Sequence, residues 1–200
     1  MIPLFRRLPP PGWPAARPQA GRLARAPWIN VALLGLLLLF ATDPLVPVRP
    51  RMAPAEATAA FGAACEGMVV YHLERARTEV LVAAYSLTRR SIVTALSDAR
   101  RRGVEVRVKY DARQAQFEGM ERALEGLRRD KIECRAVRMG NGERAAMHHK
   151  FIVVDREVVV TGSYNFTTTA SRDNYENLVA LDAPAVAARF AAEFEAIRSR

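Results

Sequence analysis

Helical and strand patterns alternate along residues 66–198, and this alternation restricts the possible folds more than any other feature of the chain. Apolar residues at helical spacing predict helices over residues 66–77, 91–101, 116–128 and 185–198. Short apolar, β-branched runs predict strands over residues 79–85, 104–110, 132–137, 151–154, 158–161 and 176–181. Alternating elements of this kind bury a sheet between helices. The sequence therefore predicts an α/β fold with a mixed, mostly parallel β-sheet sandwiched between helices.

Two of the strands form the clearest local unit of the sequence. Residues 151–154 and 158–161 are apolar and mostly β-branched, and only the polar residues 155–157 separate them. Two such runs joined by a short polar segment predict a β-hairpin.

Side chains alternate between the two faces of a strand, and this rule sorts the polar residues at the ends of the hairpin. His148 and Lys150 are expected on one face, and His149 on the other. Ser163 and Asn165 share a face by the same rule. The hairpin should therefore bring His148, Lys150, Ser163 and Asn165 together at one end of the sheet.

These residues form the pattern H-x-K-x4-D-x6-G-S-x-N, and their side chains suit a phosphodiester. A neutral imidazole at His148 can act as a nucleophile or general base near neutral pH. Lys150 supplies a cation for a phosphoryl oxygen, and Ser163 and Asn165 supply neutral donors. Gly162 allows the backbone to approach a neighbour closely. By contrast, His72 and His149 lack such partners, so we interpret His72 as structural and His149 as a rim or packing residue.

The pattern resembles the HKD motif of the phospholipase D superfamily. Residues 83–88, 101–108 and 174–179 extend the likeness, which covers about residues 60–199. It is strongest to small members with a single motif, the bacterial endonuclease-like and mitochondrial cardiolipin hydrolase types. The resemblance implies a metal-independent phosphodiesterase without a cofactor, acting on nucleic acid or phospholipid, with a slight preference for the first.

The resemblance also assigns roles to individual residues. His148 would attack phosphorus and form a covalent phosphohistidine. Glu176 would bind the other ring nitrogen of a histidine, and Asp155 would have a structural or supporting role. The residues assigned to catalysis are His148, Lys150, Asp155 and Glu176, and those assigned to phosphate binding are Lys150, Ser163 and Asn165.

One motif supplies only one nucleophilic histidine, although the leaving oxygen also needs a proton donor. The simplest donor is His148 of a second chain, and single-motif members of the family resemble this arrangement. We therefore predict a homodimer that shares one active site, because two-fold dimers are also the commonest oligomers.

The same residues are compatible with two other function classes. A metal hydrolase could use His148, His149, Asp155 and Glu176, but adjacent histidines on opposite strand faces make poor joint ligands. A non-catalytic binding domain of the same fold is the other alternative, and the intact motif argues against it.

Residues 1–54 differ from the rest of the chain. Residues 28–41 contain no charge, and five arginines precede them. This run of 14 residues is shorter than the roughly 20 of a spanning helix and fits the roughly 7–15 of a signal peptide. A cleaved signal peptide and a retained membrane anchor both remain open. Either would export a catalytic domain over residues 55–200, to the periplasm or the outer face of the inner membrane.

The net charge of +9 is mostly a property of this N-terminal segment. Residues 1–54 hold seven arginines and one aspartate, which leaves only +3 for residues 55–200. The basic composition is therefore weak support for nucleic-acid binding. The two cysteines, Cys65 and Cys134, could form a disulfide in an exported protein or stay free, and two are too few for a structural zinc site.

Overall fold

The structure is a computed structural model that describes residues 56–140 and 145–199. The predicted signal or anchor over residues 1–54, with its apolar run 28–41, lies outside the described residues. Among the helices that are described, none has the length and apolar character needed to cross a membrane.

Strands and helices alternate along the described chain as the sequence predicts, with a strand at 56–61 and a helix at 168–172 that were not predicted. The strands are β1 (Glu56–Phe61), β2 (Glu79–Ala84), β3 (Glu105–Asp111), β4 (Glu133–Val137), β5 (Lys150–Val154), β6 (Val158–Gly162) and β7 (Asn177–Asp182). The helices are α1 (Ala64–Arg75), α2 (Arg90–Arg101), α3 (Glu118–Arg129), α4 (Thr168–Arg172) and α5 (Pro184–Ala196), and a short 3₁₀ helix covers Gln114–Gln116.

The strands form one mixed sheet in the order β1-β7-β6-β5-β2-β3-β4. The predicted α/β class with a mixed sheet is confirmed, but the sheet is not mostly parallel. Only β2–β3 and β3–β4 pair in parallel, whereas β1–β7, β7–β6, β6–β5 and β5–β2 are antiparallel. One of these antiparallel pairs, β5–β6, follows directly from the tight turn that joins the two strands, because such a turn can connect only antiparallel strands.

Helices cover both faces of the sheet, and the alternation of each strand divides its side chains between two cores. In β2, Val80 and Val82 pack on the side of α1, α2 and α3, while Leu81 and Ala83 pack on the side of α5. All four side chains are fully buried. A strand buried on both faces is an uninterrupted apolar run, which explains the sequence of β2.

The predicted hairpin of β5 and β6 is present, and its turn is tighter than the three-residue segment expected. Asp155 and Arg156 have φ of 53° and 57°, and the amide of Glu157 donates to the carbonyl of Val154 at 3.0 Å. Positive φ at both central residues defines a type I′ turn, whose twist matches that of a hairpin. The turn lies at the edge of the sheet opposite to the start of β5.

Candidate active site

The termini of β2, β3, β5, β6 and β7 at one edge of the sheet surround the motif residues, and we call this edge the site edge. The pairing of Ala84 with Lys150 brings the end of β2 beside the start of β5, and Gly162 pairs with Leu178 where β6 ends and β7 begins. The end of β3 lies at the same edge because Tyr110 pairs with Ala84. The strand ends and loops at this edge carry all the motif residues except Asp155.

His148 and Lys150 contact each other at the site edge, as the alternation predicts. The Nζ atom of Lys150 lies 3.3 Å from Nδ1 and 3.2 Å from Nε2 of His148, and 3.1 Å from its carbonyl oxygen. The ring of Tyr85 packs edge-on against the imidazole at 4.6 Å between centroids, and the same ring lies 5.2 Å from Nζ. An imidazole and an ammonium group thus face one small, solvent-accessible region.

The surroundings favour the neutral form of the imidazole. The pKa of His148 is lowered, first by partial burial of the ring and then by the charge of Lys150, while the buried carboxylate of Asp111 opposes the shift. Burial also lowers the pKa of Lys150, against the opposing charge of Glu176. Since only a neutral imidazole has a free ring lone pair, His148 is suited to nucleophilic attack near neutral pH.

Glu176 lies at the site edge in a network of hydrogen bonds. Its carboxylate accepts from Ser163 Oγ at 2.5 Å and from Asn174 Nδ2 at 3.1 Å. Ser163 Oγ also accepts from the backbone amide of Asn177 at 3.1 Å. Both carboxylate oxygens are therefore engaged within the chain, and no hydrogen bond between Glu176 and a histidine forms among the described residues.

Two other motif positions show why their residue types are needed. A Cβ atom at Gly162 would lie 2.2 Å from the carbonyl oxygen of Asn177, so only glycine allows β6 to approach β7 this closely. Asn165 follows β6, and its Oδ1 atom is buried without a hydrogen-bond partner in the described part of the chain.

The assignment of Asp155 to the catalytic residues requires correction. Asp155 lies at the far end of β5 from Lys150, about 17 Å away for a five-residue strand. Its carboxylate accepts from the backbone amides of Arg77, Thr78 and Glu79 at 2.8–3.2 Å and from the hydroxyl of Thr78 at 2.9 Å. Burial alone would raise the pKa of Asp155, but these donors outweigh it and lower the pKa. Asp155 fastens the hairpin turn to the start of β2.

Two residues that the sequence reasoning missed hold the backbone on either side of His148. Asp111, only 1% exposed, accepts from the amide of Met147 at 2.9 Å. The amide of Tyr85 donates to the carbonyl oxygen of His149 at 2.8 Å. Asp111 ends β3 and Tyr85 follows β2, and the ends of strands in α/β sheets are where site residues collect, so this position was the available signal.

The remaining histidines lie apart from His148. His149 faces α5, where Nε2 lies 3.2 Å from Oε1 of Glu193 and the ring packs against Phe151. His72 on α1 lines a separate cavity of about 530 Å³ with Asp182. In residues 56–140 and 145–199 no three His, Cys, Asp or Glu side chains are grouped so that they could hold a metal ion. The ligand set of the metal-hydrolase hypothesis therefore does not assemble.

The two cysteines are free thiols, which answers the question of a disulfide between them. Cys65 lies in the first turn of α1 and is fully buried in the core. Cys134 lies in β4, and burial raises the pKa of its thiol to about 11. Neither side chain takes part in the site edge.

A family model and several known proteins match this chain. Residues 69–198 match the family model described as cardiolipin synthase, PLD-like domain. A phospholipase D of Rickettsia felis is 32% identical over 120 residues, which cover 60% of this chain and 57% of that protein. A mitochondrial cardiolipin hydrolase of Mus musculus is 32% identical over 122 residues, covering 61% and 52%. The chain thus spans little more than half of these relatives.

One solved structure matches this chain over nearly all of that structure's length. The structure of Nuc from Salmonella typhimurium, described as a phospholipase D family member, superposes with a TM-score of 0.66 and 27% identity. The match covers 72% of this chain and 94% of that one.

Proposed function

Since the chain belongs to the phospholipase D superfamily, we propose that it hydrolyses phosphodiester bonds of nucleic acid or phospholipid. The observation that carries the proposal is the contact of His148 with Lys150 at the site edge, with a lowered pKa for the imidazole. A neutral nucleophile and a cation that can bind a phosphoryl oxygen thus stand side by side.

The proposed reaction has two displacements at phosphorus. In the first, a ring nitrogen of His148 uses its lone pair to form a P–N bond while the P–O bond to the leaving alcohol breaks and that oxygen takes a proton. In the second, water attacks phosphorus and gives a proton to the group that protonated the leaving alcohol, the P–N bond breaks, and the imidazole returns to its neutral form. Lys150 and the amide of Asn165 would stabilise the negative charge on the phosphoryl oxygens in both steps. Apart from the proton for the leaving alcohol, this scheme uses only the chain's own residues and assigns no step to a metal or cofactor.

The proton for the leaving alcohol is the step that one chain does not supply. His149 faces α5 and is paired with Glu193, and His72 lies on α1, so neither shares the region of His148. We propose that His148 of a second copy donates this proton, in a homodimer with the two site edges facing each other. Glu176 and Asn165, which form no hydrogen bond to a histidine in the single chain, would then face the second imidazole.

A pair of matched variants tests the chemistry. The full chain is incubated with bis-p-nitrophenyl phosphate in excess EDTA, beside His148→Asn and His72→Asn. We expect His148→Asn to lose at least about 10³-fold in kcat, because removing a nucleophile removes the covalent route. His72→Asn should retain the wild-type rate. Turnover that disappears in EDTA, or that persists in His148→Asn, would refute the mechanism.

The covalent intermediate and the dimer need separate measurements. A reaction quenched in alkali, where phosphohistidine survives, should give a phosphorylated peptide that contains His148. Sedimentation and activity measured over the same dilution series should fall together as the dimer dissociates. A monomer that works at the full rate would refute the shared site.

We also propose that residues 28–41 direct export, as a signal peptide or as a retained anchor, so that the catalytic domain acts outside the cytoplasm. Fractionation of cells that make the full chain with a C-terminal tag, together with protease protection, tests this placement. A tag found only in the cytosolic fraction would refute it.

A further inference from the structure

The ammonium group of Lys150 lies over the face of the His148 imidazole rather than in the plane of that ring. Its Nζ atom is almost equally distant from the two ring nitrogens, 3.3 Å from Nδ1 and 3.2 Å from Nε2. An atom in the ring plane at equal distances of this length would collide with the carbon atoms of the ring. The in-plane lone pair of the neutral imidazole therefore remains free to attack phosphorus.

A lysine ammonium needs neighbours to stay at one position, because it is strongly hydrated and ends a flexible chain of four carbons. Lys150 donates to the carbonyl oxygen of His148 at 3.1 Å. Glu176 attracts the ammonium by its charge, but its two carboxylate oxygens accept hydrogen bonds from Ser163 and Asn174. The position of the ammonium over the imidazole therefore depends on the other groups that contact it.

The ring of Tyr85 contacts both the imidazole and the ammonium group. It packs edge-on against His148 at 4.6 Å between centroids, and Nζ of Lys150 lies 5.2 Å from the centroid of the same ring. The face of an aromatic ring attracts an ammonium group within about 6 Å. The backbone of Tyr85 is fixed directly after β2, because its amide donates to the carbonyl oxygen of His149 at 2.8 Å.

We propose that Tyr85 is a positioning residue, whose ring holds the ammonium of Lys150 over the face of the His148 imidazole and keeps that imidazole oriented for attack on phosphorus. The proposal rests on the proposed function, because it concerns the nucleophile and the phosphate ligand of that reaction. The ring carries this role rather than the hydroxyl, because both contacts are made by the ring.

The same contacts connect Tyr85 with the protonation of the imidazole. The pKa of His148 is lowered first by burial and then by the charge of Lys150; the charge of Asp111 opposes the shift, and that of His149 adds to it. The ring of Tyr85 covers the imidazole and holds the ammonium against it, so it supports the two leading causes. Removing this ring should therefore let the pKa of His148 rise toward its ordinary value of about 6.5.

Two variants of Tyr85 separate the ring from the hydroxyl. Tyr85→Phe keeps the ring and Tyr85→Leu removes it, while Tyr71→Leu makes the same change at an exposed tyrosine of α1. In the full chain without substrate, an NMR titration should give a higher pKa of His148 in Tyr85→Leu and the wild-type value in the other two. With bis-p-nitrophenyl phosphate, Tyr85→Leu should lose at least about tenfold in kcat, and the acid limb of its pH profile should move to higher pH. Tyr85→Phe and Tyr71→Leu should stay within about twofold of the wild-type kcat.

A further replacement tests the contact with the ammonium without changing the shape of the side chain. Trifluorophenylalanine in place of Tyr85 keeps the ring but removes the negative charge of its face. We expect a kcat about two- to fivefold below that of Tyr85→Phe, the effect of one exposed contact between a cation and a ring. Equal rates in these two variants, an unchanged pKa of His148 in Tyr85→Leu, or a Tyr85→Phe variant as impaired as Tyr85→Leu would overturn the proposal. A wild type without His148-dependent turnover would instead refute the proposed function, while the titration without substrate would still test the role of Tyr85.

Discussion

Replacing Asp155 with alanine should lower the melting temperature by about 10 °C and leave the chemistry almost unchanged. The carboxylate accepts four hydrogen bonds, from the amides of Arg77, Thr78 and Glu79 and from the Thr78 hydroxyl. Bonds to a charged acceptor are worth about 1.5–3 kcal/mol when buried, and this group is only half-buried, so about 1 kcal/mol each is a fair value. The total of about 4 kcal/mol is a large part of the roughly 5–15 kcal/mol that stabilises a domain. At about 3 °C per kcal/mol, this corresponds to a shift of roughly 10 °C.

The pH dependence of this effect has a definite sign. The pKa of Asp155 is lower in the folded protein than its ordinary value of about 3.9. Its contribution to stability is therefore fully present above that value and is lost as the pH falls through the folded-state pKa. The difference in melting temperature between wild type and Asp155→Ala should be constant near neutral pH and shrink below about pH 4.

The assay compares unfolding with turnover in the same preparations. Asp155→Ala is measured by calorimetry, and its kcat is measured at a temperature well below both transitions, beside Glu157→Ala. Glu157 is an exposed carboxylate of the same hairpin, so its removal should change stability by less than about 0.5 kcal/mol. A variant Asp155→Ala that melts like wild type but has lost more than about a hundredfold in kcat would show that the aspartate acts in the reaction after all.

Three further predictions address the site edge. Gly162→Ala should lower the free energy of unfolding by about 2–3 kcal/mol in a denaturant titration, because its Cβ would lie 2.2 Å from the Asn177 carbonyl oxygen. The control Gly126→Ala, in open space on α3, should raise the free energy of unfolding by about 0.5–1 kcal/mol. The acid limb of the pH profile of kcat/KM should lie below about pH 6.5, because the pKa of His148 is lowered. An acid limb above this value would contradict the assignment of His148 as the nucleophile. Lys150→Met should raise the pKa of His148 in an NMR titration. Lys150→Arg should lose at least about tenfold in kcat/KM, because a planar fork does not replace a point charge on one oxygen, and near-normal rates would remove Lys150 as the phosphate ligand.

Local rules were sufficient for the parts of the site that lie within one hairpin. The period of two along a strand placed His148 beside Lys150 and turned His149 toward α5, and the structure has both. The same rule, combined with the rise of about 3.3 Å per residue, would also have separated Asp155 from the site edge. That error came from grouping residues by motif rather than by distance.

Contacts between elements that are distant in the chain could not be predicted from the sequence, because they depend on the order of the strands in the sheet. Asp111 and Tyr85 reach the backbone around His148 only because β2 lies between β3 and β5 in the sheet. Strand β1 was missed because Ala57-Thr58-Ala59-Ala60 has little apolar contrast, and only its pairing with β7 identifies it as a strand at the edge of the sheet. Likewise, the partners of Glu176 became visible only once β6 and β7 were seen side by side.

The four residues between Lys150 and Asp155 fix the distance between these two side chains along β5. They span β5 from the site edge, where the imidazole and amine meet, to the opposite edge, where the carboxylate holds the start of β2. Their identities can vary within the limits of core packing, but their number cannot. One inserted or deleted residue would turn either Lys150 or Asp155 to the wrong face and move it off its edge. The spacing of the motif thus matches the length of the strands. A change in the length of β5 would therefore be more damaging than any single substitution there.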